Sequence, residues 1–247
     1  MIASVKTRYD PAPGRHEDPS FSYDAYEASG LWGVSRAEYR RFVADVIIKT
    51  YEAGDTVLHD GDEALHVMNI RAGSVKVYKQ LSDGRRAVVG FLFSGDFAGL
   101  AAINHYSSGV EALEHVEVWR FPRAAFRQLV ADMPTLETEL LTRATHDLEV
   151  AQEHMLLLSR KTAMERLSSF LLQLARRGRG DAASLVHVRF HMTRADIGDY
   201  LGLSTETVSR YFTKLTTSKL IQLENPTGAI LLNRRRLKGL AAGEPVH

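Results

Sequence analysis

Residues 193–214, Thr-Arg-Ala-Asp-Ile-Gly-Asp-Tyr-Leu-Gly-Leu-Ser-Thr-Glu-Thr-Val-Ser-Arg-Tyr-Phe-Thr-Lys, constrain this chain more than any other stretch. Ile197, Tyr200 and Leu201 form the apolar edge of a short helix, and Gly202 supplies a sharp turn. Ser204 is a good N-cap for a second helix. Val208, Phe212 and Leu215 then bury the inner side of that helix at three- to four-residue spacing. Its outer side carries Thr205, Glu206, Ser209 and Arg210. This is a helix-turn-helix pattern, in which the second helix enters the major groove of double-stranded DNA and its N-terminal residues meet base edges. Arg pairs bidentately with guanine and Glu accepts from the cytosine amino group, so this face can read both bases of a G·C pair. A solvated surface helix would account for any one of these residues. The combination of turn, cap, buried spine and reading face is what points to DNA.

The charge distribution agrees. The formal net charge is +1. Residues 160–247 hold 15 Lys/Arg against 7 Asp/Glu, while 1–159 hold 16 against 23. A basic C-terminal part on an acidic body is the electrostatic footprint of a nucleic-acid binder. The chain has no cysteine, which excludes disulfides, thiolate-held iron–sulfur clusters and cysteine-ligated zinc. Its 247 residues, 45% hydrophobic, suit one or two domains. No apolar run approaches the roughly 18 residues of a membrane helix. Arg8, Asp10, Arg15, Glu17 and Asp18 interrupt any leader-like apolar segment, so a cytoplasmic protein without a membrane partner is expected.

Residues 1–35 show no sustained period and read as an arm in which Phe21, Tyr23, Tyr26, Leu31 and Trp32 are candidates for docking on the body. Arg36–Val43 reads as a short helix. Within the next segment, 36–132, short apolar or alternating runs lie between about Val46 and Pro122, punctuated by Gly54, Gly61, Gly73, Gly84 and Gly95. They predict a small antiparallel sandwich, barrel or roll. Hairpin turns are expected at Arg71–Ser74 and at Ser82–Arg85. A long helix follows over 133–160, with Pro134 in its first turn and Asp132 as its cap. Leu141, Ala144, Leu148, Ala151, Met155 and Leu158 repeat at 3, 4, 3, 4, 3. That is a heptad seam, and it predicts a partner helix, most economically the same helix of a second copy. The alternative is an amphipathic helix packed on its own domain. In the last segment, 161–247, a helix over Ala163–Arg177 ends at Gly178, with Arg176, Arg177 and Arg179 at its C-terminal end. A β segment at Val186–Phe190 precedes the helix-turn-helix. Leu220–Leu223 and Ala229–Leu232, joined through Glu224-Asn225-Pro226-Thr227-Gly228, predict a hairpin wing.

This order of parts resembles the family of the catabolite activator protein and the fumarate–nitrate reduction regulator, CRP/FNR. The resemblance spans about 36–238 and rests on Met192–Arg210. It implies an α+β fold: an N-terminal antiparallel β-roll, a cupin-like domain of the cyclic-nucleotide-binding type, then a long dimerisation helix and a C-terminal winged helix-turn-helix. Catabolite-activator-like members resemble Arg-Glu-Thr-Val-Gly-Arg at the reading positions. Here Thr205 stands for that first Arg and Ser209 for the Gly, and Glu206, Ser209 and Arg210 match the FNR and FixK branch. The resemblance then implies a homodimeric transcription regulator, an activator by family behaviour, on a palindrome close to TTGA-N6-TCAA. Thr193, Arg194, Thr207 and Lys214 read as phosphate contacts, which set register without carrying sequence information. RNA polymerase is the further partner implied, with Ser82-Asp83-Gly84-Arg85-Arg86 as the candidate contact.

The sensed signal is less legible. No Lys or Arg lies between Ala87 and Trp119, so a cyclic AMP phosphate in the roll would lack a local cation. The iron–sulfur sensor of FNR is excluded with its cysteines. What remains resembles the FixK type, effector-independent and placed in low-oxygen or nitrogen-oxide gene control. A second reading is a haem- or small-molecule-sensing member, with His59, His66, His105 and His115 as candidate haem ligands. No GxSxG, HExxH or P-loop is present, and the chain is not expected to be an enzyme. No metal site or catalytic residue is assigned.

Overall fold

A computed structural model describes residues 35–44, 46–177, 186–224 and 227–244. The aromatic candidates of the arm, together with Gly178, Arg179, Asn225 and Pro226, lie outside the described residues.

Helix α1 spans Arg36–Val43 and begins with a capping box in which Ser35 and Glu38 bond each other's side chain and backbone. Eight strands follow: β1 (Ile47–Tyr51), β2 (Thr56–Leu58), β3 (His66–Ala72), β4 (Ser74–Gln80), β5 (Arg86–Phe93), β6 (Phe97–Ala98), β7 (Gly109–Ala112) and β8 (Val116–Pro122). They form two four-stranded antiparallel sheets, ordered β1-β8-β3-β6 and β2-β7-β4-β5. This is the expected β-roll. Ile70, Val75, Val110, Val116 and Val118 are buried in one of its apolar clusters. Phe42, Trp119, Phe121, Phe126 and Leu136 form a second cluster, where α1 and the helices after β8 close the roll.

The two turn expectations separate. Ser82–Arg85 closes the β4–β5 hairpin, with Gly84 at φ +84°. Arg71–Ser74 is not a hairpin, because β3 and β4 belong to different sheets. At Gly73 (φ +86°) the chain steps from one sheet to the other, and a Cβ there would stand 2.5 Å from the His115 carbonyl oxygen. Alternation reports strand length and turn position, but the pairing partner is set by the roll.

The start of the long helix also differs. Helix α2 (Arg123–Asp132) comes first, and α3 (Pro134–Arg160) follows after Met133. Asp132 therefore ends α2 instead of capping α3. Its carboxylate accepts from Gln128 and pairs with Arg41. Pro134 does occupy the first turn of α3. Along α3 the six seam residues are exposed, with Leu141 at 67%, Leu148 at 59% and Met155 at 62%.

Helix α4 (Ala163–Arg177) packs Leu167, Phe170, Leu171 and Leu174 into the C-terminal core. Then come β9 (Val186–Arg189), α5 (Arg194–Leu201), α6 (Thr205–Thr217), β10 (Ile221–Glu224), β11 (Gly228–Leu231) and α7 (Arg234–Ala241). The wing hairpin lies within one residue of its expected bounds. It gains β9 as a third strand, in the order β10-β11-β9. Helices α2 and α7 were not anticipated from the sequence.

Candidate nucleic-acid interface

The geometry of the interface follows from how α5 meets α6. Thr193 caps α5: its hydroxyl donates to the Asp196 carboxylate at 2.6 Å and accepts from the Asp196 N–H at 3.0 Å. Gly202 ends the helix in the left-handed region at φ +62°, where a side chain would be strained. Gly198 permits the close approach of the next segment, since a Cβ there would lie 2.7 Å from the Leu203 carbonyl oxygen. Ser204 then caps α6, its Oγ accepting from the Thr207 N–H at 3.2 Å. Val208, Phe212 and Leu215 are buried against Ile197 and Leu201. Each such burial is worth about 1.5–3 kcal/mol. This packing fixes which side of α6 faces outward.

On that outward side Thr205, Glu206, Ser209 and Arg210 are all exposed, within the first two turns of the helix. Hydrogen bonding in the first turn, to its own backbone N–H and then to Ser204, holds the Glu206 carboxyl below its ordinary value. It is therefore an ionised acceptor at neutral pH. The Arg210 guanidinium lies 5.5 Å from the Tyr211 ring centroid.

The four phosphate candidates are placed differently from one another. Lys214 is exposed on α6. Thr207 is half-buried, and its hydroxyl oxygen accepts from Ser204 at 3.1 Å. Thr193 is occupied as the α5 cap. Arg194 lies over Phe212, with its guanidinium carbon 3.4 Å from the ring centroid and Nη1 buried without a hydrogen-bond partner. Burial pulls its pKa down. The sequence pattern shows Arg194 as a cation before a helix and carries no sign of this stacking.

Sequence reasoning missed the residues that hold the reading unit against the β-roll. Lys76 on β4 contacts Glu111 at 2.8 Å and Asp196 at 3.1 Å. Burial alone would lower the Lys76 ammonium, but these two carboxylates raise it. The Val88 N–H donates to Asp199 at 2.7 Å, and Phe91 meets Tyr200 edge-on at 5.2 Å. Asp96 pairs with Arg177 of α4 at 2.5 Å and with Arg143 of α3 at 3.6 Å. These partners lie up to 120 positions apart in sequence, so no local pattern announces them.

The roll contains a cavity of about 650 Å³, walled by Leu92, Phe97, Tyr106 and Val110 and by Leu140 and Leu141 of α3. Its ionisable lining residues are Glu137 and Asp147 apart from the Tyr106 phenol, with no Lys, Arg or His. The residues present do not fit a cyclic nucleotide phosphate. Arg123 sits by the loop 99–102 but donates to the carbonyls of Gly99, Ala102 and Ala64 at 2.5, 2.9 and 2.6 Å. None of the four candidate haem histidines lines this cavity. His66 bonds Arg120 at 3.1 Å, His105 lies in a β-bridge with Glu63, His115 pairs with Glu52 at 2.8 Å, and His59 is exposed. Among the described residues no group of His, Asp or Glu is arranged to hold a metal ion, and no helix is long and apolar enough to cross a membrane.

Comparison with known proteins agrees with this architecture. Residues 48–133 match the cyclic nucleotide-binding domain family, and residues 165–240 match the Crp-like helix-turn-helix domain family. The nitrogen fixation regulation protein FixK of Azorhizobium caulinodans is 37% identical over 245 residues, covering 97% of this chain and 98% of the relative. The transcriptional activatory protein AadR of Rhodopseudomonas palustris is 36% identical over 192 residues, covering 78% of this chain and 80% of the relative. The solved structure of FixK2 from Bradyrhizobium japonicum superposes with a TM-score of 0.72 at 32% identity, covering 82% of this chain and 98% of that one. With a β-roll, a long helix and a winged reading unit in this order, and with these relatives, the chain belongs to the CRP/FNR family of DNA-binding transcription regulators, on its FixK-like branch.

Proposed function

We propose that this protein is a cytoplasmic homodimeric transcription activator that reads a TTGA-N6-TCAA palindrome, one half-site per protomer, without a bound effector. The observation that carries the reading is the outward display of Thr205, Glu206, Ser209 and Arg210 on the first two turns of α6. Arg210 meets guanine, Glu206 takes the cytosine amino hydrogen, and Ser209 lies near a thymine. Thr205 borders the same pairs. Lys214, Thr207, Thr193 and Arg194 hold the flanking phosphates. The exposed α3 seam supports the dimer, because two copies related by a two-fold axis would cover it with itself. The cation-free cavity supports activity without cyclic AMP.

The relatives support the remaining parts. AadR is named an activatory protein and FixK a regulator of nitrogen fixation, which favours activation in low-oxygen or nitrogen-oxide gene control. The RNA polymerase contact is assigned to the β4–β5 hairpin, where Arg85 pairs with Asp83 and Arg86 lies over Tyr78.

The test is a titration of purified protein, with nothing added, into duplex TTGA-N6-TCAA and into a duplex with its G·C pairs swapped. Selective binding to the first supports the reading. Equal binding to both overturns the assignment of the reading face.

A further inference from the structure

The positive charge of the C-terminal part is not all gathered on the reading helix. A separate cleft of about 870 Å³ opens between the end of α3, α4 and α7. Lys161, Arg176, Arg234 and Lys238 line it, and neither α5, α6 nor the wing contributes a lining residue. These four cations converge from the end of α3, from α4 and from α7, and among the described residues none of them is paired with a carboxylate. The contrast with the neighbouring Arg236, which pairs with Glu244 at 3.2 Å, is direct. Arg234 is half-buried, and its Nε is enclosed without a hydrogen-bond partner. Lys161 donates to Ser169, a second polar group of the cleft, at 2.8 Å. Two carboxylates reach the lining, Glu153 and Glu165, and Glu165 is engaged by the Thr162 N–H at 3.1 Å.

Unpaired like charges around one concavity repel each other, and an anion among them relieves that cost. Guanidinium and ammonium groups together suit phosphate oxygens, the first through its planar fork and the second as a point charge. Leu157, Leu172 and Ala241 give the same cleft an apolar wall. Its volume falls within the roughly 300–1,000 Å³ of small-molecule sites.

We propose that this cleft binds a phosphorylated small molecule of the nucleotide class, with its phosphates against Arg234, Lys238, Arg176 and Lys161 and its apolar body against Leu157 and Leu172. The ligand bridges α3 to the DNA-binding unit and modulates the orientation of α6 in a protein that reads DNA without it. The site is distinct from the β-roll cavity and does not depend on the palindrome assigned above.

The test is calorimetric titration of the full-length protein with adenosine triphosphate, pyrophosphate and adenosine, beside an R234Q/K238Q variant. The expected result is a Kd below ~1 mM for the two phosphate compounds, at least about tenfold weaker binding of adenosine, and a loss of about tenfold or more in the variant. The variant keeps the parent's binding to non-specific DNA. A K161Q/R176Q variant, altered at the other rim of the cleft, shows the same loss and guards against a folding defect. No binding by the parent, or binding by either variant as tight as the parent's, overturns the proposal. A drop in DNA affinity and in its salt slope, without phosphate binding, assigns the cleft to the DNA backbone and also overturns it.

Discussion

At the scale of single residues, Arg210 and Arg194 show how far residue type alone can be trusted. Both are arginines of the helix-turn-helix, and both carry charge suited to DNA. Arg210 projects from α6 into solvent, whereas the Arg194 guanidinium carbon sits over the Phe212 ring. The exposure of Arg210 makes base readout available to it, so Arg210→Ala is expected to cost about 1–3 kcal/mol at the specific site. The same change is expected to relax discrimination at one G·C pair per half-site. Competition titrations on duplexes substituted at each position check this, and equal weakening on every duplex would make Arg210 a phosphate contact instead. The outward side of α6 was legible because exposure there follows from the buried spine on the opposite side of one helix. The stacking of Arg194 was not, because Phe212 lies 18 positions away and reaches Arg194 only once α5 and α6 have packed.

At the scale of elements, the two glycines of the helix-turn-helix set the angle between α5 and α6. Gly202 needs its left-handed backbone, while Gly198 needs the space that a Cβ would take from the Leu203 carbonyl. Gly198→Ala is expected to push the two helices apart and to cost about 1–3 kcal/mol, as overpacked sites do. Urea unfolding measures the loss, and an unchanged midpoint would mean that the turn relaxes freely. Helix α3 presents the complementary case of an element whose apolar stripe stays uncovered. Its seam residues stay exposed although they are apolar. Replacing Leu148 and Met155 with Glu is expected to shift the protein to monomer in sedimentation equilibrium and to abolish binding to the palindrome. A parent protein that is already monomeric would remove the seam from the dimer reading. The seam was visible in the 3, 4 spacing, because heptad periodicity is a local property. Helix α2 was missed although Pro134 marks the start of the helix behind it, since α2 itself opens at Pro122 without a side-chain cap.

At the scale of the whole molecule, the β-roll and the reading unit are joined by a polar and aromatic seam. The ion pairs Lys76–Asp196 and Asp96–Arg177 and the contact of Phe91 with Tyr200 span it. His154 of α3 stacks on the same Tyr200, with ring centroids 4.1 Å apart and planes 11° from parallel. Burial holds its imidazole below the ordinary value of 6.5, helped by the charge of Arg166, while a hydrogen bond with the Tyr200 backbone works the other way. A histidine depressed in the folded state binds its proton more readily when unfolded. Stability from this group is therefore complete above 6.5 and declines as pH falls below it. Urea midpoints measured from pH 7.5 to 5 are expected to fall more steeply for the parent than for His154→Phe. Parallel curves would show that the stack tolerates the imidazolium.

The local order of residues determined the reading helix, its cap, its turn glycine, the long helix and the winged arrangement after it. Each of these is written in a periodicity of two, three or four residues or in one turn residue, and such signals survive without knowledge of the rest of the chain. The sequence also determined that no cysteine chemistry is available and that the stretch from Ala87 to Trp119 itself contains no Lys or Arg. The tertiary structure alone decided that Gly73 carries the chain between two sheets, that Arg194 packs on Phe212, and that Asp96 and Lys76 tie the roll to the reading unit. It likewise gathered Lys161, Arg176, Arg234 and Lys238 into one cleft, although up to 77 positions separate them along the chain. Contacts of that range depend on how whole elements stack, and the entropy of closing such loops is repaid only when those elements pack.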